Sequence, residues 1–220
     1  MHWCRRARVR PAACWAAGWA TRRCRVPGRA SVRVSAAAPG GAARFAILPY
    51  PAELEETIHW QGRTLTLRPI RPEDEETHRV FLERLDPEDI RMRVFYSRRS
   101  IEHTELARLT QIDDGREMAF IATAASPEGV DETLGVVRAL RDPDNQDAEF
   151  GIVVRSDLKG SGLGEKMMRK LVAYLREQGT QRLVATVLAE NQRMLQLARD
   201  MGFAVDEAQD GVPQIWLPLA

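Results

Sequence analysis

From Ala46 onward, alternating and helical spacings of apolar residues follow one another, whereas residues 1–45 show neither period. TLTLRPI (64–70) alternates and predicts a strand. RPEDEETHRVFLERL (71–85) predicts a helix with Pro72 and acidic residues in its first turn, and EHTELARLTQI (102–112) a second. Three β-like runs come next: EMAFIATA (117–124), TLGVVRALRD (133–142) and DAEFGIVVR (147–155). The turn-forming stretches SPEGVDE and DPDNQ separate them, so they read as a meander. Leu163, Met167, Leu171 and Leu175, with Met168 and Val172, then mark one face of a long helix that stops at Gly179. RLVATVLA (182–189), a helix NQRMLQLARDMG opened by Asn191, and two terminal strands around FAVDEA and QIWLPL complete the chain. Strands first, then helix, strand, helix, strand, strand: the order predicts a mixed α/β or α+β sheet with helices on its faces.

Charge divides the 220 residues in two. Residues 1–50 contain ten arginines and no acid, so residues 51–220 hold all 31 acidic residues against 22 basic ones. An acidic body argues against a nucleic-acid partner, which needs clustered basic surface, and suits a cationic substrate. No stretch approaches the ~18–20 consecutive apolar residues of a spanning helix, so no membrane partner is expected. The three cysteines, Cys4, Cys14 and Cys24, all lie in the head and in no ligand spacing. A metal site in the body is therefore not expected, and its lack of cysteine fits a reducing compartment, the cytoplasm. The head lacks periodicity and is expected to be disordered. It reads as sequence translated from upstream of the true gene boundary, with an organellar transit peptide or a basic tail as alternatives.

The richest stretch is RSDLKGSGLGEKMMRK (155–170), which holds all three lysines and three alternate glycines. It is not a Walker loop, because Gly164 is followed by Glu165, Lys166 and Met167, and GxGxG is not the dinucleotide fingerprint GxGxxG. What remains is a strand, a glycine loop and a helix N-terminus, whose backbone N–H groups and dipole favour an anion. Glycines also let the backbone approach a phosphate closely. An ordinary strand-to-helix turn with solvated cations explains the local features equally well.

KGSGLG after EFGIVVR resembles the acetyl-CoA pyrophosphate loop of the GNAT acetyltransferases, Q/R-x-x-G-x-G/A, with Lys159 at the usual Gln or Arg. The runs LRPIRPED, REMAFIA, GVVRALRDPDNQDAEFGIVVRSDLKGSGLG and NQRMLQLARDMGF resemble, more narrowly, the acetyltransferase domain of the bacterial protein lysine acetyltransferase (Pat) family. The resemblance implies a GNAT fold, a mixed central sheet with helices on both faces, over 63–220. It implies a junction segment over 46–62, where AILPYPAELEE resembles the stretch that follows a synthetase-like region in full-length members, and leaves 1–45 as the basic head.

The resemblance also implies roles. Glu149, ten positions before Lys159, stands where similar enzymes place a catalytic glutamate, and a base is needed because deprotonating a lysine ammonium at pH 7 costs about 4–5 kcal/mol. A solvent-facing or Arg-paired carboxylate is the structural alternative. Ile152, Val153 and Val154 would offer backbone groups to the pantetheine arm, at a bulge that splays their strand from its neighbour. Lys159, Gly160, Ser161, Gly162, Leu163 and Gly164 would cradle the pyrophosphate. Asn191 is a good N-cap, and in similar enzymes it also contacts the coenzyme. Ala198 replaces a tyrosine that often protonates the leaving thiolate. His59, His78 and His103 join no catalytic pattern. Asp86, Asp89, Asp113 and Asp114 read as caps and solvated turns, with an acidic rim for a substrate lysine as the alternative. The expected activity is acetyl transfer from acetyl-CoA, without a metal, to a protein lysine, with AMP-forming acyl-CoA synthetases as targets. A small-molecule amine acetyltransferase and a non-catalytic acyl-CoA sensor are the alternatives.

Overall fold

In the computed structural model, which describes residues 50–94, 103–112, 115–125, 131–206 and 212–220, eight strands build one sheet. They are β1 (Glu56–Trp60), β2 (Arg63–Pro69), β3 (Glu117–Ala125), β4 (Asp131–Arg141), β5 (Asp147–Val154), β6 (Arg182–Thr186), β7 (Ala204–Asp206) and β8 (Gln214–Pro218). Five helices accompany them: α1 (Glu75–Glu83), α2 (Pro87–Val94), α3 (His103–Thr110), α4 (Leu163–Glu177) and α5 (Gln192–Asp200). The sheet order is β1-β2-β3-β4-β5-β6-β8-β7. Every neighbouring pair is antiparallel except β5 with β6. The basic head and the acidic pair Asp113 and Asp114 lie outside the described residues.

Period-2 alternation sends the two faces of β3 to different partners. Met118, Phe120, Ala122 and Ala124 join the main core with α4, whose Leu163, Met167, Met168 and Leu171 are fully buried. Each such side chain contributes about 1.5–3 kcal/mol by leaving water. Phe120 meets Tyr174 edge-on, with centroids 5.7 Å apart. Ala119 and Ile121 face the other way, into a smaller cluster with Ile70. On that side α1 lies on β4, and α3 on α1. The mixed sheet with helices on both faces is as the sequence predicts.

Two ion pairs fix this second layer. Asp74 is a first-turn acid by sequence, yet it is 7% exposed and accepts from both terminal guanidinium nitrogens of Arg68 at 2.7 Å. It also accepts from the Arg71 N–H at 2.7 Å. On β4, buried Arg138 donates to the Glu117 carboxylate and to the Leu109 carbonyl, fastening α3 to the sheet.

Three expectations change. Residues 56–60, placed in the junction, form β1, paired along its length with β2. Helix α2 was not expected at all. RLVATVLA stays in the sheet only to Thr186; Val187 then donates to Pro213 and a turn from Leu188 to Asn191 leads into α5.

Candidate functional site

Strand β5 pairs with β4 from Ala148 to Val154 without a register shift, so the bulge expected in β5 is absent. The irregularity in the meander falls instead between Ala122 and Thr123 of β3. What opens the sheet is the parallel pairing itself: β5 and β6 share only Asp147–Arg182, Ala148–Leu183 and Glu149–Val184. Beyond Glu149 they part, leaving a cleft of about 490 Å³ between Phe150–Val154 on one side and Ala185–Val187 on the other.

The glycine loop closes one end of this cleft. A 3-10 turn, Ser156–Leu158, carries the chain out of β5, and Gly160 (φ +74°) and Gly162 (φ +82°) adopt the left-handed conformation. Gly162 caps α4, whose first backbone bond runs from Lys166 N–H to the Gly162 carbonyl at 3.2 Å. The N–H groups of Leu163, Gly164 and Glu165 therefore precede the helical ladder. Nothing lies within 4 Å of a Cβ built on Gly160 or Gly162. No atom crowds the loop at these two positions, and its amides and helix dipole suit a pyrophosphate.

Of the expected binding residues, Ile152, Val153, Val154, Lys159, Gly160, Gly162, Gly164 and Asn191 line the cleft together. Two do not. Leu163 is wholly buried and turns its side chain into the core; only its backbone faces the ligand end. The Ser161 hydroxyl is spent on the Leu158 carbonyl, and the Ser161 carbonyl accepts from the Trp60 indole N–H at 2.9 Å. Asn191 caps α5 by accepting from Met194 N–H at 3.1 Å.

Glu149 stands on the last paired rung, half-buried, opposite Leu140 of β4 and Val184 of β6. Ile152 and Val154 reach toward Gly164 on the α4 side. Strand alternation therefore turns Glu149 to the other face, that of α1 and α3. A ligand threaded through the gap would meet the glycine loop on one side of the sheet and Glu149 on the other. Ala198 is fully buried, and its carbonyl accepts from Phe203 N–H at 2.9 Å. Phe203 thus caps the end of α5 through this carbonyl, and Ala198 is not among the residues lining the cleft.

Helix α2 is the part that sequence reasoning missed. It spans the cleft mouth: Asp89 accepts from Ser156 and pairs with the Lys159 ammonium, while Arg91 reaches Glu190, before α5, at 2.6 Å. Hydrogen bonds to Glu88 and then Glu190 raise the Arg91 pKa above its usual value. Asp89 and Met92 line the cleft. The available signal was Asp86-Pro87-Glu88-Asp89, an N-cap followed by proline at the first helical position and a second and third acidic residue. On the far side of the loop, Arg155 holds Asp157 at 2.7 Å and Glu132 at 2.8 Å. Its hydrogen bond lowers the Asp157 pKa. No group of three or more metal-ligating side chains occurs among the described residues, and none of their helices is long and apolar enough to cross a membrane.

A family model described as the acetyltransferase (GNAT) domain matches residues 64–204. The Pseudomonas aeruginosa protein named Acetyltransferase PA5475 is 28% identical over 165 residues, which are 73% of this chain and 88% of that one. Among solved structures, the GNAT domain of S. lividans PAT is similar with a TM-score of 0.70 and 25% identity, over 77% of this chain and 99% of that one. RimL, a ribosomal L7/L12 alpha-N-protein acetyltransferase solved in complex with coenzyme A, shares the fold at a TM-score of 0.59 and 16% identity, over 74% and 98% of the two chains.

Proposed function

The chain belongs to the GNAT acetyltransferase domain family, and from that premise we propose that it transfers acetyl from acetyl-CoA to a protein lysine ε-amine, with Glu149 as general base. The observation that carries this reading is the early end of the β5–β6 pairing at Glu149, which supports a base role for that carboxylate because it stands beside a gap lined at its other end by the glycine loop. Backbone groups of Ile152, Val153 and Val154 on the freed edge suit the amide-rich pantetheine arm, which adds to the sheet as a strand would. The N–H groups at the start of α4 suit the pyrophosphate, with Lys159 beside them.

When bound, acetyl-CoA supplies an activated thioester. Glu149 takes a proton from the incoming ammonium, directly or through one water. The free amine then forms the amide bond to the acetyl carbon as the carbon–sulfur bond breaks. A backbone N–H on the freed β5 edge polarises the thioester carbonyl as negative charge develops. No tyrosine stands at Ala198, so the proton that the nitrogen loses as the amide forms passes through water to the leaving thiolate, whose conjugate acid resembles a cysteine thiol of pKa about 8.5.

A protein acceptor is supported by the resemblance to the Pat family and the likeness to the S. lividans PAT domain. The same resemblance points to AMP-forming acyl-CoA synthetases as the target class. The test incubates the full chain with acetyl-CoA, a panel of such synthetases and a set of small amines. Transfer to protein lysine is expected, slowed about a hundred- to ten-thousandfold in Glu149→Gln. An undiminished rate in that variant would remove the base. Transfer only to small amines would remove the protein substrate, and coenzyme binding without turnover would make the domain a sensor.

A further inference from the structure

Residue Trp60 lies on β1, ahead of the stretch 64–204 that the family model covers, and 101 positions before its hydrogen-bond partner, the carbonyl of Ser161. Its side chain does two jobs. The ring is 5% exposed and belongs to the main core, while the indole N–H reaches into the glycine loop at 2.9 Å. Ser161 sits between the two left-handed glycines, Gly160 and Gly162. That is where the chain is least able to hold its own orientation, because both flanking residues are free of Cβ restraint.

A peptide unit is planar, and in the trans form its C=O and N–H point in opposite directions. No cis bond occurs among the described residues, so the plane joining Ser161 to Gly162 has one free variable, its rotation about the chain. Trp60 removes that freedom. With the Ser161 carbonyl held toward the core, the Gly162 N–H of the same plane is turned away from it, and Gly162 itself lines the cleft. No backbone or side-chain acceptor among the described residues takes this N–H. A second tie, Lys170 to Glu56 at 3.1 Å, holds β1 against α4.

We propose that Trp60 is a positioning residue for coenzyme binding: its indole N–H locks the Ser161–Gly162 peptide so that the Gly162 N–H is presented to the pyrophosphate. The inference rests on the acetyl-CoA reading of the cleft. It makes β1 part of the binding apparatus, although β1 contributes no side chain to the cleft wall.

The test compares full-length wild type, Trp60→Phe, and a variant carrying 3-benzothienylalanine at position 60, which replaces the indole N–H by sulfur with almost no change of shape. Dissociation constants are measured for CoA and for pantetheine, which lacks the pyrophosphate, together with KM and kcat for acetyl-CoA. One neutral hydrogen bond corresponds to about fivefold in affinity. CoA binding is expected to weaken about that much in both variants and KM to rise with it. Pantetheine affinity should not move, and kcat should fall far less than KM rises. Should Trp60→Phe fail to fold, the benzothienyl variant gives the same reading. Unaltered CoA affinity in the variants overturns the proposal alone, as does an equal loss for CoA and pantetheine, which marks a merely structural role. A wild type that does not bind CoA overturns both the proposal and the reading beneath it.

Discussion

Replacing Gly162 and Gly164 by alanine should move stability in opposite directions, although only Leu163 separates the two glycines. Gly162 has φ +82° and ψ −3°, and a Cβ built there meets nothing within 4 Å. The cost of alanine is thus purely that of the left-handed backbone, about 1–2 kcal/mol. For a domain of this size that lowers the melting temperature by roughly 2–8 °C. Gly164, the second residue of α4, has no positive φ. Its Cβ would meet Ile152 Cδ1 and Val154 Cγ2 at 3.7 Å and Leu197 Cδ2 at 3.8 Å, ordinary contact distances. Alanine there gains helix propensity, about 0.5–1 kcal/mol, and raises the melting temperature by roughly 1–4 °C. Binding should divide the same way. Relaxation of the Gly162 backbone re-aims the loop amides and should weaken CoA at least tenfold, about 1.4 kcal/mol, whereas Gly164→Ala should stay within about threefold. Thermal melts and calorimetric titration with CoA decide it. Equal shifts of the same sign, or a Gly162→Ala protein that melts and binds like wild type, would refute the argument.

His78 gives a pH dependence. It is 2% exposed, and burial first, then the Arg138 charge, push its pKa down to about 4, with Asp74 opposing. The unfolded chain takes up this proton near pH 6.5 while the folded one resists it, so protonation favours unfolding. Stability is full above about pH 6.5 and falls as pH drops toward 4, by about 3 kcal/mol in all. Urea midpoints at pH 7 and pH 4.5 should show a smaller difference in His78→Phe than in wild type; an identical difference would remove His78 as the cause. The Arg68–Asp74 pair gives a second prediction. Asp74→Ala strands a buried guanidinium and should cost about 3 kcal/mol or more, whereas Arg68→Met with Asp74→Leu should cost less than the single change. Denaturation of the three proteins tests this, and a double variant no more stable than Asp74→Ala would contradict it.

Much of the scaffold was legible because it is written in local periods. The α4 face, the β3–β5 meander and the Asn191 cap each follow from residues close in sequence. The glycine loop was legible as a loop, but its free amides mean a binding site only once the β5–β6 gap beside it is known. Helix α2 was missed because Pro87–Val94 has no continuous apolar stripe; ion pairs to Lys159 and Glu190 hold it in place instead. Asp74 was read only as one of the acidic residues in a helix's first turn, and its inward turn depends on Arg68 arriving from the neighbouring strand. Trp60 and Ser161 illustrate the general limit. No local rule connects side chains 101 residues apart, and the sheet order that joins them emerges only when all the strands are laid side by side.

The early parting of β5 and β6 gives the sheet four edges instead of two. Besides the outer rims at β1 and β7, the strand backbone past Glu149 on β5 and past Val184 on β6 presents rows of N–H and C=O groups across the cleft. Natural proteins blunt such rims because any extended chain can dock on them. Here helix α2 crosses the cleft mouth, and among the described residues no strand pairs with the inner rims beyond Glu149 and Val184. On the acetyl-CoA reading, these inner rims are open in the empty molecule and covered in the occupied one. Adding CoA is therefore expected, on that same reading, to slow association of the protein with itself, which light scattering with and without CoA would check.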